Sequence, residues 1–452
     1  MDAYEVQETV DRWTIPNLSG QSRWPLRPAI AHAQGPIVHD TDGGRYLDFG
    51  ANPTGAILGH NHPRYVEAVR RRLHAIGQDS FLDPDALQLH CRFGEILTAP
   101  LQKSMFVSQG EAPRVAAGIA RAVTGGADVL TVSATHDGTL CFQYLAAAAS
   151  GQGAALITRN AANSGDRDCP DPSHCSCGAQ ECGQPCPWAA FEAALRACEQ
   201  RPAALLMTPS AGGAFGPGAG WTRAMRRLCH QYGMLLIIDE SATGYGKTGR
   251  MWGYQHDDVV PDILIVSARF GAGQSIDAVC TAPDIADQAS AANCRLPSVE
   301  WHDPVACTAA LTTIDIVREE ELVSRAAAMG EYLNMRLGAM AADTPLIGAV
   351  HGRGAMYAIE LSPEGAGNIP ARGLSQALVH ACRHKGLLLQ DPTRDASGRI
   401  IRVAPPMVST ETQVDEGMDI LDRVLREITG ASGAWKTSGQ DARQAGEDQL
   451  PQ

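Results

Sequence analysis

The chain has 452 residues, 44% of them hydrophobic and 5% aromatic, an ordinary balance for a soluble globular protein and too long for one typical domain. Asp and Glu number 50 against 37 Lys and Arg, a net charge of −13 that argues against nucleic acid or an anionic membrane as a partner. No apolar run reaches the roughly 18–20 residues of a spanning helix, and the acidic start Met1-Asp2-Ala3-Tyr4-Glu5 is not a signal peptide, so a cytoplasmic protein with no membrane partner is expected.

Residues 1–60 combine a proline-bearing arm with short strands at 36–40 and 46–49, and are expected to form an N-terminal arm and part of a small domain. Gly59-His60-Asn61-His62-Pro63 then leads into a helix with apolar positions at Val66, Val69 and Leu73. From Met105 onward, short Val/Ile/Leu runs alternate with helical patterns: 105–108, 129–133, 155–158, 204–207, 234–239 and 263–267. Buried strands interleaved with helices predict a large α/β domain over 61–320 with a mostly parallel central sheet. A long helical stretch around 304–340 opens a C-terminal α+β part of the small domain, 321–430. Strands are expected at 355–361 and 400–405, and Thr410 and Gln413 are spaced as a capping box for a final helix. The polar tail, 431–452, is expected to be disordered.

Five motifs in this order resemble class III (omega or 4-aminobutyrate type) aminotransferases, over about residues 20–430. Gly59-His60-Asn61-His62-Pro63 is similar to the family's GHxHP, and Leu235 to Glu240 followed by Thr243-Gly244-Tyr245-Gly246 to its LLIxDEVxTGFGRTG. Gly352-Arg353-Gly354 resembles RGxG, and Ile401-Arg402-Val403-Ala404-Pro405-Pro406 resembles IRxxPP. Pro261-Asp262-Ile263 to Gly273 resembles the segment carrying the lysine that binds pyridoxal phosphate (PLP). The resemblance implies the PLP fold type I, a homodimer, Asp239 as partner of the pyridinium nitrogen, and Arg402 as the grip on a substrate carboxylate.

The pattern also breaks. Ala268 stands where the family has its lysine, and an alanine methyl cannot form an imine; Arg269 beside it stays protonated. The other lysines are Lys103, Lys247, Lys385 and Lys436, and none follows the right strand. The phosphate loop is one residue short at Gly110 and has Glu111 beside it, Thr135 replaces the stacking aromatic ring, Ser241 replaces the residue packed on the opposite face, and Val299 replaces the threonine from the second subunit. Five changes together predict that PLP has been lost.

A vacated cleft would be walled by His136, Asp137, Asp239, Arg269, Glu300, Trp301, His302 and Asp303. His136 and Asp239 are the candidate acid/base pair; Arg402, Arg269, Glu300, Trp301 and His302 are the candidate substrate contacts. The 13 cysteines are mostly scattered, as buried reduced thiols are, but Cys169, Cys175, Cys177, Cys182 and Cys186 crowd into an insertion at 168–188. Cys175, Cys177, Cys182 and Cys186 are expected to hold zinc or an iron-sulfur cluster, with no open position for catalysis. The expected protein is thus a PLP-independent enzyme acting on an amino-acid-like or acyl small molecule. The alternatives are a non-catalytic regulatory subunit paired with an active paralogue, and a residual PLP-dependent transaminase.

Overall fold

The computed structural model describes residues 29–50, 57–75, 83–134, 140–145, 154–155, 195, 201–211, 214–215, 221–266, 272–292, 294, 303–362, 371–390 and 399–430. Its strands, in chain order, are β1 (Ile30–Gln34), β2 (Ile37–Asp40), β3 (Arg45–Asp48), β4 (Lys103–Val107), β5 (Asp128–Ala134), β6 (Leu140–Leu145), β7 (Ala154–Ala155), β8 (Pro202–Met207), β9 (Ser210–Ala211), β10 (Ala214–Phe215), β11 (Leu235–Asp239), β12 (Ile263–Val266), β13 (Asp277–Thr281), β14 (Ile347–Arg353), β15 (Met356–Leu361), β16 (Leu387–Leu388) and β17 (Ile400–Val403). The α-helices are α1 (Pro63–Ala75), α2 (Pro84–Ile96), α3 (Ala112–Thr124), α4 (Trp221–Tyr232), α5 (Pro283–Ala291), α6 (Pro304–Glu319), α7 (Leu322–Asp343), α8 (Ala371–His384) and α9 (Glu411–Gly430).

The central sheet has eight strands in the order β4-β13-β12-β11-β8-β5-β6-β7. Its middle, β12-β11-β8-β5, is parallel, as the unbroken apolar runs predict, while β13, β4, β6 and β7 join antiparallel at the margins. Both faces are covered. On β11, Leu236 and Ile238 enter the larger core beneath α2, α4 and α6, and Ile237 enters the opposite core against α3. Strands buried on both sides need apolar residues at every position, which is why β11 reads as a run and not an alternation.

A four-stranded sheet pairs β1, β2 and β3 with β16 from far along the chain, and a three-stranded sheet joins β14, β15 and β17. Their shared core gathers Leu47 and Phe49 with residues of α7, α8 and α9. The capping box closes α9: the Thr410 amide donates to Gln413 Oε1 at 2.9 Å, and the Gln413 amide to Thr410 Oγ1 at 3.3 Å. The long helix expected over 304–340 is two helices, broken where Glu321 takes a left-handed φ of 51°. Among the described residues no helix is long and apolar enough to cross a membrane.

Candidate active site

Asp239 is the last residue of β11, in register with Ile265 of β12, so its side chain stands at the carboxyl end of the parallel strands, where α/β sheets open to ligands. Both donors of Ser241 converge on its Oδ1: the amide at 2.9 Å, and the hydroxyl in a shorter contact. Burial pushes the Asp239 carboxyl above the ordinary carboxylate range, and the two Ser241 bonds oppose that shift.

The next residue builds the floor. Glu240 is buried, and its carboxylate accepts from the Thr243 hydroxyl, the Gly253 amide at 2.9 Å and the Tyr254 amide at 2.7 Å. Burial raises its pKa to about 7 against those three bonds, and the charge of Asp239 adds to the rise. Lys247 is also buried, and its ammonium donates to the carbonyls of Pro405 and Ala404 at 2.5 and 3.4 Å. The turn after β11 is thereby tied to the segment following Arg402. Arg402 lies on β17 in the separate three-stranded sheet and donates to Gln390 Oε1 at 2.9 Å.

At the opposite margin, Gly110 takes a left-handed φ of 88° just before α3 and donates its amide to the buried carboxylate of Asp277 at 2.7 Å. The Ser275 hydroxyl bonds Gln109 Oε1 at 3.2 Å beside it. Glu111 turns outward to pair with Arg114.

Of the expected site residues, Asp239, Arg402, Gly110 and Ser241 fall within the described residues. His136, Asp137, Thr135, Ala268, Arg269, Val299, Glu300, Trp301 and His302 lie outside them, as do Cys169, Cys175, Cys177, Cys182 and Cys186. Asp303 has a local role: it caps α6, accepting from the amides of Val305 at 2.8 Å and Ala306 at 3.0 Å. Sequence reasoning missed Gln390, Asp277 and the partners of Glu240. The signal for Asp277 was available as a charged residue opening an otherwise apolar strand.

A family model described as Aminotransferase class-III matches residues 20–425. An acetylornithine aminotransferase of Mycobacterium leprae is 27% identical over 420 residues, covering 92% of this chain and 94% of its own. The 5-aminovalerate aminotransferase DavT of Pseudomonas aeruginosa is 28% identical over 414 residues, covering 89% and 95%. The solved ornithine aminotransferase of Toxoplasma gondii shares the fold with a TM-score of 0.72 at 22% identity, covering 95% of each chain.

These matches correct the expectation that PLP is lost, and with it the PLP-independent enzyme built on His136 and Asp239 and the non-catalytic partner subunit. The described part of the site gives the physical reason. Ser241 is the donor that fixes Asp239 and not merely a lost packing residue, and Asp239 keeps its place at the carboxyl end of β11. The ring end of the site therefore fits PLP. The expected zinc or iron-sulfur site at Cys175, Cys177, Cys182 and Cys186 lies outside the described residues; among the described residues no group of three or more His, Cys, Asp or Glu could hold a metal ion.

Proposed function

The chain belongs to the class-III aminotransferase family, and from that premise we propose that it is a PLP-dependent aminotransferase for a small substrate bearing an amine at one end and a carboxylate at the other. The observation that carries the reading is Asp239, a part-buried carboxylate at the carboxyl end of β11 held on one oxygen by Ser241. Asp239 would hold the protonated ring nitrogen, and Ser241 fixes the carboxylate in place. When bound, PLP supplies an electron sink for the carbon bearing the amine. Arg402, oriented by Gln390, would grip the substrate carboxylate. The overall exchange balances as amine plus 2-oxo acid giving carbonyl compound plus 2-amino acid. Relatives named for acetylornithine and 5-aminovalerate support an amine set well apart from the carboxylate.

Class-III aminotransferases act on small molecules and are commonly dimeric. For this chain a homodimer is the reading we favour, supported by Val66 and Leu73 on α1, Leu87 on α2 and Met105 on β4, apolar side chains left exposed. A small domain joining 1–60 to 321–430 beside a large domain at 61–320 is supported by the pairing of β3 with β16.

The test is a coupled assay for glutamate formed from 2-oxoglutarate with N-acetylornithine, 5-aminovalerate or 4-aminobutyrate as donor, together with an absorbance titration of PLP. Glutamate formation that Asp239→Asn abolishes, with weaker PLP uptake, is the expected result. Ala268 carries no amine and Lys247 is committed to the Pro405 carbonyl, so borohydride reduction should leave Lys247 unlabelled. No glutamate from any donor, with no PLP taken up, would end the proposal.

A further inference from the structure

Asp277 opens β13 opposite Val107, the last residue of β4, which sets its side chain beside the loop entering α3. It is fully buried, and its Oδ2 accepts the Gly110 amide at 2.7 Å. Pro113, in the first turn of α3, has no N–H, and Glu111 at the N-cap makes no capping bond. One of the amides at this helix entry is therefore already bonded to a negative charge supplied by the chain itself.

Resting on the reading of the protein as PLP-dependent, we infer that Asp277 acts as an internal anion at the phosphate end of the site, competing for the Gly110 amide and lowering affinity for the phosphate while leaving the ring end untouched. Asp277 is then a specificity-determining residue: it discriminates against the phosphorylated form of the cofactor relative to free pyridoxal. A purely structural carboxylate would make no such distinction, because pyridoxal and PLP share the ring and differ in the phosphate.

The test compares wild type with Asp277→Asn, which keeps an acceptor for the Gly110 amide, and with Asp277→Ser as a second variant should the first not fold. PLP and pyridoxal are titrated by absorbance, and inorganic phosphate by thermal shift. Removing the competing charge should tighten PLP about tenfold or more and leave pyridoxal within about twofold. Phosphate should raise the melting temperature of the variants and not that of wild type. Equal changes for PLP and pyridoxal, or weaker PLP binding by the variants, would overturn the inference. If no form takes up PLP but the variants gain stabilisation by phosphate, the cofactor reading falls and the role of Asp277 stands. If neither PLP nor phosphate distinguishes the variants from wild type, Asp277 has no such role.

Discussion

Lys247 donates its buried ammonium to the carbonyl of Pro405 at 2.5 Å, across 158 positions of sequence, and so fastens the turn after β11 to the segment that follows Arg402. A hydrogen bond from a charged donor contributes about 1.5–3 kcal/mol, and the carbonyls left behind would stay buried. Lys247→Met should therefore lower the unfolding free energy by an amount within that range, read as a lower urea midpoint with the slope unchanged. It should also raise KM more than it lowers kcat, because the segment it releases adjoins Arg402. A midpoint equal to wild type would show that the lysine only fills space.

Glu240 makes the stability of the fold depend on pH. Burial raises its carboxyl from an ordinary 4.5 to about 7, so the folded state holds the proton more tightly than the unfolded chain. Its contribution is complete below about pH 4.5 and is lost as pH rises through about 7, a difference on the order of 3 kcal/mol. Asp239, also raised, acts in the same direction, so Glu240→Gln should flatten the loss between pH 5 and 8 without abolishing it. Chemical denaturation at the two pH values checks this; an unchanged slope in the variant would place the dependence elsewhere. The variant should also be less stable at pH 5, since a Gln carbonyl oxygen can take the bonds from Gly253 and the Thr243 hydroxyl but its NH2 cannot accept from the Tyr254 amide.

What was legible in the sequence follows from how each element is buried. The strand β11 announces itself because Leu235 to Ile238 all face a core, and α9 because its capping box is local in sequence. The strand β13 does not, since Asp277 opens it and the reason for that aspartate, the Gly110 amide, lies 167 positions away. The break between α6 and α7 carries no glycine or proline, only a glutamate in a left-handed conformation. Asp239 and Arg402 stand at motif positions, which is what makes them candidates from sequence alone. Ser241 departs from the motif, and its hydroxyl bond to Asp239 leaves no mark in a sequence pattern.

Gly417 sits within α9, where Ala would ordinarily be favoured over Gly by about 1 kcal/mol. Here a methyl would run into the ring of Phe49, which is fully buried beneath the helix. Overpacking of that kind costs about 1–3 kcal/mol, more than the propensity gain, so Gly417→Ala should be destabilising overall. Adding Phe49→Leu should recover part of the loss, a favourable coupling measurable as a double-mutant cycle. Additive losses would mean that the helix shifts to admit the methyl.

Arg402 extends from β17. Its guanidinium donates to Gln390 at 2.9 Å, so the fork is already oriented before a ligand arrives, and orientation is what a bidentate grip on a carboxylate needs. Losing a charged hydrogen bond of about 1.5–3 kcal/mol corresponds to roughly a 10- to 150-fold fall in kcat/KM. Arg402→Ala should show that fall with 5-aminovalerate, mostly through KM, and little change with an amine of the same length that lacks the carboxylate. Arg402→Lys should recover only part, because a point charge cannot reproduce the fork. Gln390→Ala should behave as a milder Arg402→Lys, losing orientation but no charge. Thermal melting temperatures of the variants should stay near wild type, separating a lost grip from a damaged fold. If the substrate without a carboxylate suffers equally, Arg402 holds the protein together and the carboxylate is bound elsewhere.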